Sequence, residues 1–406
     1  MKPSYFHFSI ILFSFVFLFL RLNQLKSLMT FGFDQSVHLQ EARDLVDNRQ
    51  IKLVGPMVAS QMIQGRGFFI GPYYTYILTL IGLITNWQPL IITQILIYFD
   101  LFCLLLFTFW LSSKSSPPIT LLLFLLFVFS PFLIEQSRFF WNPHFLLPIS
   151  FLLIYFLEKK RFFWAAITMG FGFSFHFSAL LWILPFLYYL VKNKISFKVY
   201  PLLLFAFILG DLPYFIFELR HHFYNLSTFY LVLTHSAKSG LFYFHYYVFS
   251  LSAFIYLLLS RLSVKYSQTT YLSIIVLTLI NAAYFFFWRE SLPVGMTSGW
   301  NYPTQLKVID KILENGCPKN FNVATTNSGD TRAYDLRFLL KQKNCFPNPV
   351  DSYPYDKTLY LVAPVSRPPP TDTVWEVLSL RPFKIELTYS INKELVLYQL
   401  SRTNEN

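Results

Sequence analysis

Charge is scarce in this chain. Asp, Glu, Lys and Arg make up 13% of its 406 residues, against about 25% in soluble domains. Acids are scarcest, with nine of the 21 in residues 1–288, which hold 19 of the 33 Lys and Arg. A soluble fold could not cover a chain that is 54% hydrophobic and 20% aromatic. A soluble enzyme and a disordered protein are both excluded, and the composition reads as a polytopic membrane protein. Cysteine is equally sparse, with three in all and no metal-type Cys/His spacing. Cys103 lies in an apolar run and reads as packing. Cys317 and Cys345 lie in the polar tail, where a disulfide and two free thiols are both open. Phosphate-binding glycine motifs, nucleotide fingerprints and internal repeats are missing, so a cytoplasmic nucleotide-sugar or ATP site has no support. No basic patch interleaves with aromatics, so nucleic acid is not expected as a partner.

What is present is a series of apolar runs. They cover 4–20, 89–111, 119–134, 145–157, 162–175, 177–191, 199–217, 241–260 and 270–288. Several fall short of the roughly 20 residues that a crossing needs. Positive-inside bias orients them. Lys2, Lys114, Lys159-Lys160-Arg161, Lys192/Lys194/Lys198 and Arg261/Lys265 share one side when these nine runs cross and 71–85 lies in the interface. The N-terminus is then cytoplasmic. Residues 21–71, 135–144, a turn near His176, 218–240 and the tail from 289 onward are external. The expected fold is an all-α polytopic bundle of about nine transmembrane helices, with interfacial helices in the first external loop. A small α/β extracytoplasmic C-terminal domain follows, and the boundary falls between 1–288 and 289–406.

In the first external loop, Val37, Ala42, Leu45 and Val46 suggest the buried face of a surface helix, with Glu41, Asp44 and Asp47 solvated. Gly65, Gly67 and Gly71 suggest a flexible stretch. In the tail, 321–327 and 358–363 read as strands and 331–343 as a helix. Residues 385–398 read as a hairpin about Ile391-Asn392.

Several residues could carry chemistry. Asp34 follows Phe31-Gly32-Phe33 near the end of the first span. Aromatic neighbours there would desolvate its carboxylate and make it a useful base; the alternative is a helix N-cap. Glu135 and Arg138 at i, i+3 form either a structural pair or, through Arg138, a phosphate contact. His176 at a span end is either packed or functional. Arg220, His221 and His222 gather cationic groups that suit a lipid-linked phosphate. Asp100 within a span is either functional or hydrogen-bonded to a neighbouring helix. Asp211 and Pro213 shape the end of one span, and Asn225-Leu-Ser227 matches the N-glycosylation pattern.

The ordered motifs FxFDQxxxLxEARD, GPYYxYxL, SPxxIxxSRxxWNP, HFSAL and LPYxxFELRHHF, spread over about residues 1–290, resemble the GT-C superfamily of membrane glycosyltransferases. The branch most similar is the bacterial one akin to protein O-mannosyltransferases and lipid A aminoarabinose transferases. The resemblance implies an inverting transferase of the plasma (inner) membrane, acting on its outer face. It would move a sugar from a polyprenyl-phosphate donor to a lipid, glycan or protein acceptor. It implies Asp34 as general base, and Arg138, Arg220 and His222 as cations for the leaving phosphate. Glu135, His176 and Tyr73, the last in GPYYxYxL, join them as expected substrate-binding residues. Many relatives carry Asp-Glu where this chain has Asp34-Gln35, which weakens the case for a second carboxylate or an obligatory divalent metal; no cofactor is otherwise expected. The competing readings are a transporter or flippase of lipid-linked glycans, and an assembly protein whose tail binds a partner.

Overall fold

The computed structural model describes residues 3–63, 66–235, 244–265, 267–288 and 292–403. Lys2, Gly65, residues 236–240 of the fourth expected loop, the first residues of the expected 241–260 span and the expected domain boundary at 289 lie outside them. The chain is mostly helical, with a small mixed sheet near its C-terminus. It divides into two units. The first comprises Met1–Leu22, Glu41–Asn86 and Gln94–Arg289, and the second Asn23–Gln40, Trp87–Thr93 and Glu290–Asn406.

In the first unit, expected spans reappear as helices, but most are short. Among the described residues two helices are long and apolar enough to cross a membrane, Ser4–Leu22 and Pro89–Ser112, of 19 and 24 residues. At 1.5 Å per residue they reach about 29 and 36 Å, against a hydrocarbon core of about 30 Å. A third requires Phe197–Gly210 and Leu212–Arg220 to be taken together, and these bend by 91°. Asp211 occupies the bend, and Pro213 stands at the start of the second half, where its missing N–H cannot continue the first. Likewise the run 119–134 breaks at Pro131: one helix ends at Phe129 and another, Pro131–Gln136, is capped by Ser130, which accepts the Leu133 N–H at 3.4 Å. The remaining apolar helices, Tyr73–Thr85 among them, have 10–17 residues.

Close backbone approach holds part of this unit together. A Cβ on Gly170 would lie 2.0 Å from the Phe207 carbonyl oxygen, and one on Gly210 would lie 2.2 Å from that of Ile167. Only glycine fits at either point. Helix Phe162–Phe175 therefore seats directly on Tyr200–Gly210. The other faces of the outer helices are apolar and exposed, as at Phe8, Phe15, Leu204 and Phe205, which suits hydrocarbon rather than water.

The structure corrects the reading of residues 33–71. Within helix Phe33–Asp47 the buried stripe is Gln35, His38, Leu39 and Ala42, while Val46, expected to be buried, is exposed. Glu41, expected on the solvated face, is half-buried and burial raises its carboxyl pKa. His38 is pushed down to about 3 by burial and is held neutral. Of the glycines expected to make a flexible stretch, Gly67 lies instead in β2 (Arg66–Phe69), which pairs antiparallel with β1 (Met57–Ile63). Phe69 at its end packs on Phe217 and Tyr224, with ring centroids 5.3 and 5.5 Å apart.

The second unit holds the expected tail strands. These are β3 (Phe321–Thr325), β4 (Thr358–Pro364), β5 (Phe383–Ser390) and β6 (Leu395–Arg402), in the order β3-β4-β6-β5. The β3–β4 pair is parallel and the others antiparallel. A parallel pair needs a crossover, which contains helix Tyr334–Gln342. The β5–β6 hairpin turns where expected, and the Asn392 side chain accepts the Glu394 and Leu395 N–H groups, each at 2.9 Å. Helix Tyr302–Ile312, which the sequence reading passed over, is capped by Asn301, whose side chain accepts the Thr304 N–H at 3.0 Å. Cys317 and Cys345 form a disulfide. The unit is larger than the expected tail because residues 23–40 and 87–93 join it.

Candidate active site

Asp34 belongs to the second unit. It lies in the first turn of helix Phe33–Asp47. It does not cap that helix: the Gly32 N–H donates to the Gln35 side-chain oxygen at 3.1 Å, so Gln35 reaches back to the amide as the distal residue of a capping box does. The carboxylate of Asp34 has no hydrogen bond or ion pair among the described residues. It reaches solvent, yet surrounding atoms displace enough water to raise its pKa above the usual carboxylate value.

The C-terminal chain fixes the backbone on either side of this group. Gln305 donates to the Phe31 carbonyl at 2.7 Å, and Thr30 donates to that of Val294 at 2.7 Å. The Phe31 ring packs on Tyr302 and Phe338, with centroids 5.9 and 5.8 Å apart. Phe33, 49% exposed, meets Tyr334 edge-on at 5.2 Å. Tyr334 opens the crossover helix, and its proximity raises the pKa of the Arg332 guanidinium. Asp330 accepts the Tyr334 N–H at 2.8 Å and the Arg332 N–H at 3.2 Å. Earlier in the same loop, the Thr326 hydroxyl and the Asn327 Nδ2 are buried with no hydrogen-bond partner among the described residues.

The other expected site residues belong to the first unit. Arg138 was expected at the outer face, but it is 3% exposed and donates to the Leu20 carbonyl at 2.7 Å. It ties down the end of the first helix. Glu135, half-buried, shares a turn with it through the Arg138 N–H to Glu135 carbonyl bond at 3.1 Å. His176 caps the two-turn 3₁₀ helix Phe177–Trp182, accepting the Ser178 N–H at 3.1 Å through Nδ1. Tyr73 is half-buried with its ring 5.1 Å from that of Phe171. Arg220 and His222 are exposed at the end of helix Leu212–Arg220. Glu218 is buried and accepts the Asn225 and Leu226 N–H groups at 3.1 and 3.3 Å. Asn225 is itself 3% exposed and its side chain accepts the Phe69 N–H at 2.8 Å, so the glycosylation pattern is closed in the folded chain.

Two residues gain weight from the fold. Arg21 ends an apolar run and gave no signal beyond that. It is 2% exposed, and donates to the Phe127 and Val128 carbonyls at 3.0 and 3.2 Å, the free end of a helix. Arg21 lines a cavity of about 40 Å³ with Asp100, Gln136, Ser137 and His144, enough for two or three waters. Asp211, at the helix break, is fully buried beside Ser174 and Tyr214. The first unit also holds an apolar groove of about 540 Å³ lined by Phe99, Leu106, Phe107, Trp110, Ile149 and Leu152, among others. Among the described residues no three His, Cys, Asp or Glu side chains come together as metal ligands. Comparison of the chain with protein-family models, with characterised proteins and with solved structures finds no match.

Proposed function

We propose that this protein is a membrane glycosyltransferase that moves a sugar from a polyprenyl-phosphate donor to an acceptor hydroxyl, with Asp34 as general base. The observation that carries this reading is the free carboxylate of Asp34, in a helix turn whose capping is done by Gln35. A carboxylate with no structural partner and a raised pKa is suited to take a proton.

The reaction balances as follows. The acceptor O–H proton passes to Asp34 as the oxygen forms its bond to the anomeric carbon. The bond from that carbon to the phosphate oxygen breaks, and the electron pair leaves on polyprenyl phosphate. Attack opposite the leaving group inverts the anomeric centre. The departing phosphate needs positive charge, and the exposed Arg220 and His222 are the residues assigned to it. Arg138 and His176 are given positioning roles, because each is spent on the backbone. The apolar groove in the first unit has the size and lining for isoprenoid units.

In this reading nine segments cross the membrane, the shorter helices being extended by their aromatic ends. The C-terminal unit lies outside the cytoplasm, and its disulfide supports an oxidising location. A transporter of lipid-linked glycans is the second reading. The helix broken at buried Asp211 favours it, since discontinuous helices serve substrate sites in transporters. Purified protein supplied with synthetic polyprenyl-phosphate sugars separates the two. Release of polyprenyl phosphate with sugar joined to acceptor supports the transferase. Passage of intact donor across liposomes without cleavage supports the transporter.

A further inference from the structure

The second unit carries more beside Asp34 than a general base requires. The exposed Phe33 ring precedes the carboxylate and meets Tyr334. Arg332 lies near Tyr334 on a loop that leaves the carboxyl end of β3, the strand paired in parallel with β4. Ligands of parallel α/β layers collect at that end of the strands, because loops and helix N-termini converge there. In this chain Asp330 already fills the helix N-terminus, so an anion would meet a carboxylate there. Glu376 adds another acid, accepting the Thr331 hydroxyl at 2.8 Å. With Asp330 and Glu376 both near Arg332, the loop disfavours a phosphate or an acidic ligand.

What these residues do suit is a neutral polyol. A sugar ring has an apolar C–H face that an exposed phenyl ring can cover, and its edge hydroxyls both donate and accept. The guanidinium of Arg332, the carboxylate of Asp34 and the unpartnered Asn327 Nδ2 and Thr326 hydroxyl offer both kinds of partner. An unpartnered buried amide and hydroxyl on the same loop are costly unless a ligand or water satisfies them; both are at least nine-tenths buried.

We propose that the loop from Thr325 to Tyr334 and the exposed ring of Phe33 form the acceptor subsite beside Asp34, and that the acceptor is a neutral carbohydrate. The inference rests on Asp34 being the base of a glycosyl transfer, and adds to it the acceptor class and the role of the C-terminal unit. A protein acceptor would need an extended peptide cleft, and a lipid acceptor an apolar one; the loop is mostly Thr, Asn, Ser, Gly, Asp and Arg, with Ala333 and Tyr334 at its end.

The test uses full-length protein in detergent and a panel of neutral oligosaccharides, glucan, mannan and rhamnan, with a serine-containing peptide alongside. Binding is followed by saturation-transfer NMR and titration calorimetry. The wild type binds at least one of the oligosaccharides and not the peptide. Arg332→Ala, an exposed substitution, weakens that binding by at least about tenfold, the effect of one charge-assisted hydrogen bond. Phe33→Ala weakens it similarly, and a thermal melt establishes that each variant is folded. Binding is read without any donor, so its loss in folded Arg332→Ala tests this inference apart from transfer and apart from the catalytic role of Asp34. Absence of oligosaccharide binding, binding of the peptide instead, or equal binding by folded Arg332→Ala and Phe33→Ala would each overturn it.

Discussion

The Gly32 amide donates to the side-chain oxygen of Gln35 at 3.1 Å, and the residue between them that matters for chemistry, Asp34, is left without a partner. A helix start with Asp34 as cap would have used the carboxylate for structure. Gln35 therefore relieves Asp34 of a backbone task.

Substituting Gln35 tests that division. Gln35→Leu should cost about 1 kcal/mol, the usual worth of a cap, and lower the melting temperature by a few degrees. Equal melting of Gln35→Leu and wild type would remove the capping role.

Removing the Cys317–Cys345 cross-link should destabilise the C-terminal unit. The two residues are 28 apart in sequence, and loops of this size bring about 3–4 kcal/mol through restriction of the unfolded chain. The double Cys→Ser variant, followed by thermal melting of the full chain, should unfold at lower temperature, and reductant should reproduce that shift in the wild type alone. Insensitivity of the wild type to reductant would mean that the thiols are not joined.

Asp335 predicts a pH dependence. Burial, with a contribution from nearby Asp330, lifts its pKa from the usual 3.8 to about 7, although Trp300 and Gln305 donate to its carboxylate at 3.1 and 2.8 Å. The native state then holds the proton more tightly than the unfolded chain does. This group's contribution to stability is fullest below about pH 4 and falls as pH rises through about 7. The melting temperature of Asp335→Asn relative to wild type should therefore climb between those values and level off above. Parallel curves across that range would show that Asp335 titrates alike in both states.

Much of this was legible before the fold was known. The tail hairpin about Ile391-Asn392 and the strands at Phe321 and Thr358 follow from local chemistry, and so does the prominence of Asp34 behind two phenylalanines. What was not legible depends on distant partners. The face of helix Phe33–Asp47 was misread because packing buries Gln35, Ser36 and His38, polar residues that a periodicity argument assigns to water. Arg138 was placed at a surface because nothing near it in sequence announces the Leu20 carbonyl that it binds. The tie between Phe31 and Gln305 spans 274 residues, beyond the reach of any local pattern. Tyr334 gained its place beside Phe33 in the same way.

The most direct measurement is single-turnover sugar transfer from a synthetic polyprenyl-phosphate sugar by wild type and by Asp34→Asn, each verified as folded. The account predicts a loss of about 10²–10⁴ in rate, the range for removing a general base. It also predicts a wild-type rate that rises with pH through a carboxyl pKa lifted above its usual value, since the base must be ionised. Equal rates in the two proteins would contradict the assignment of Asp34 as the base.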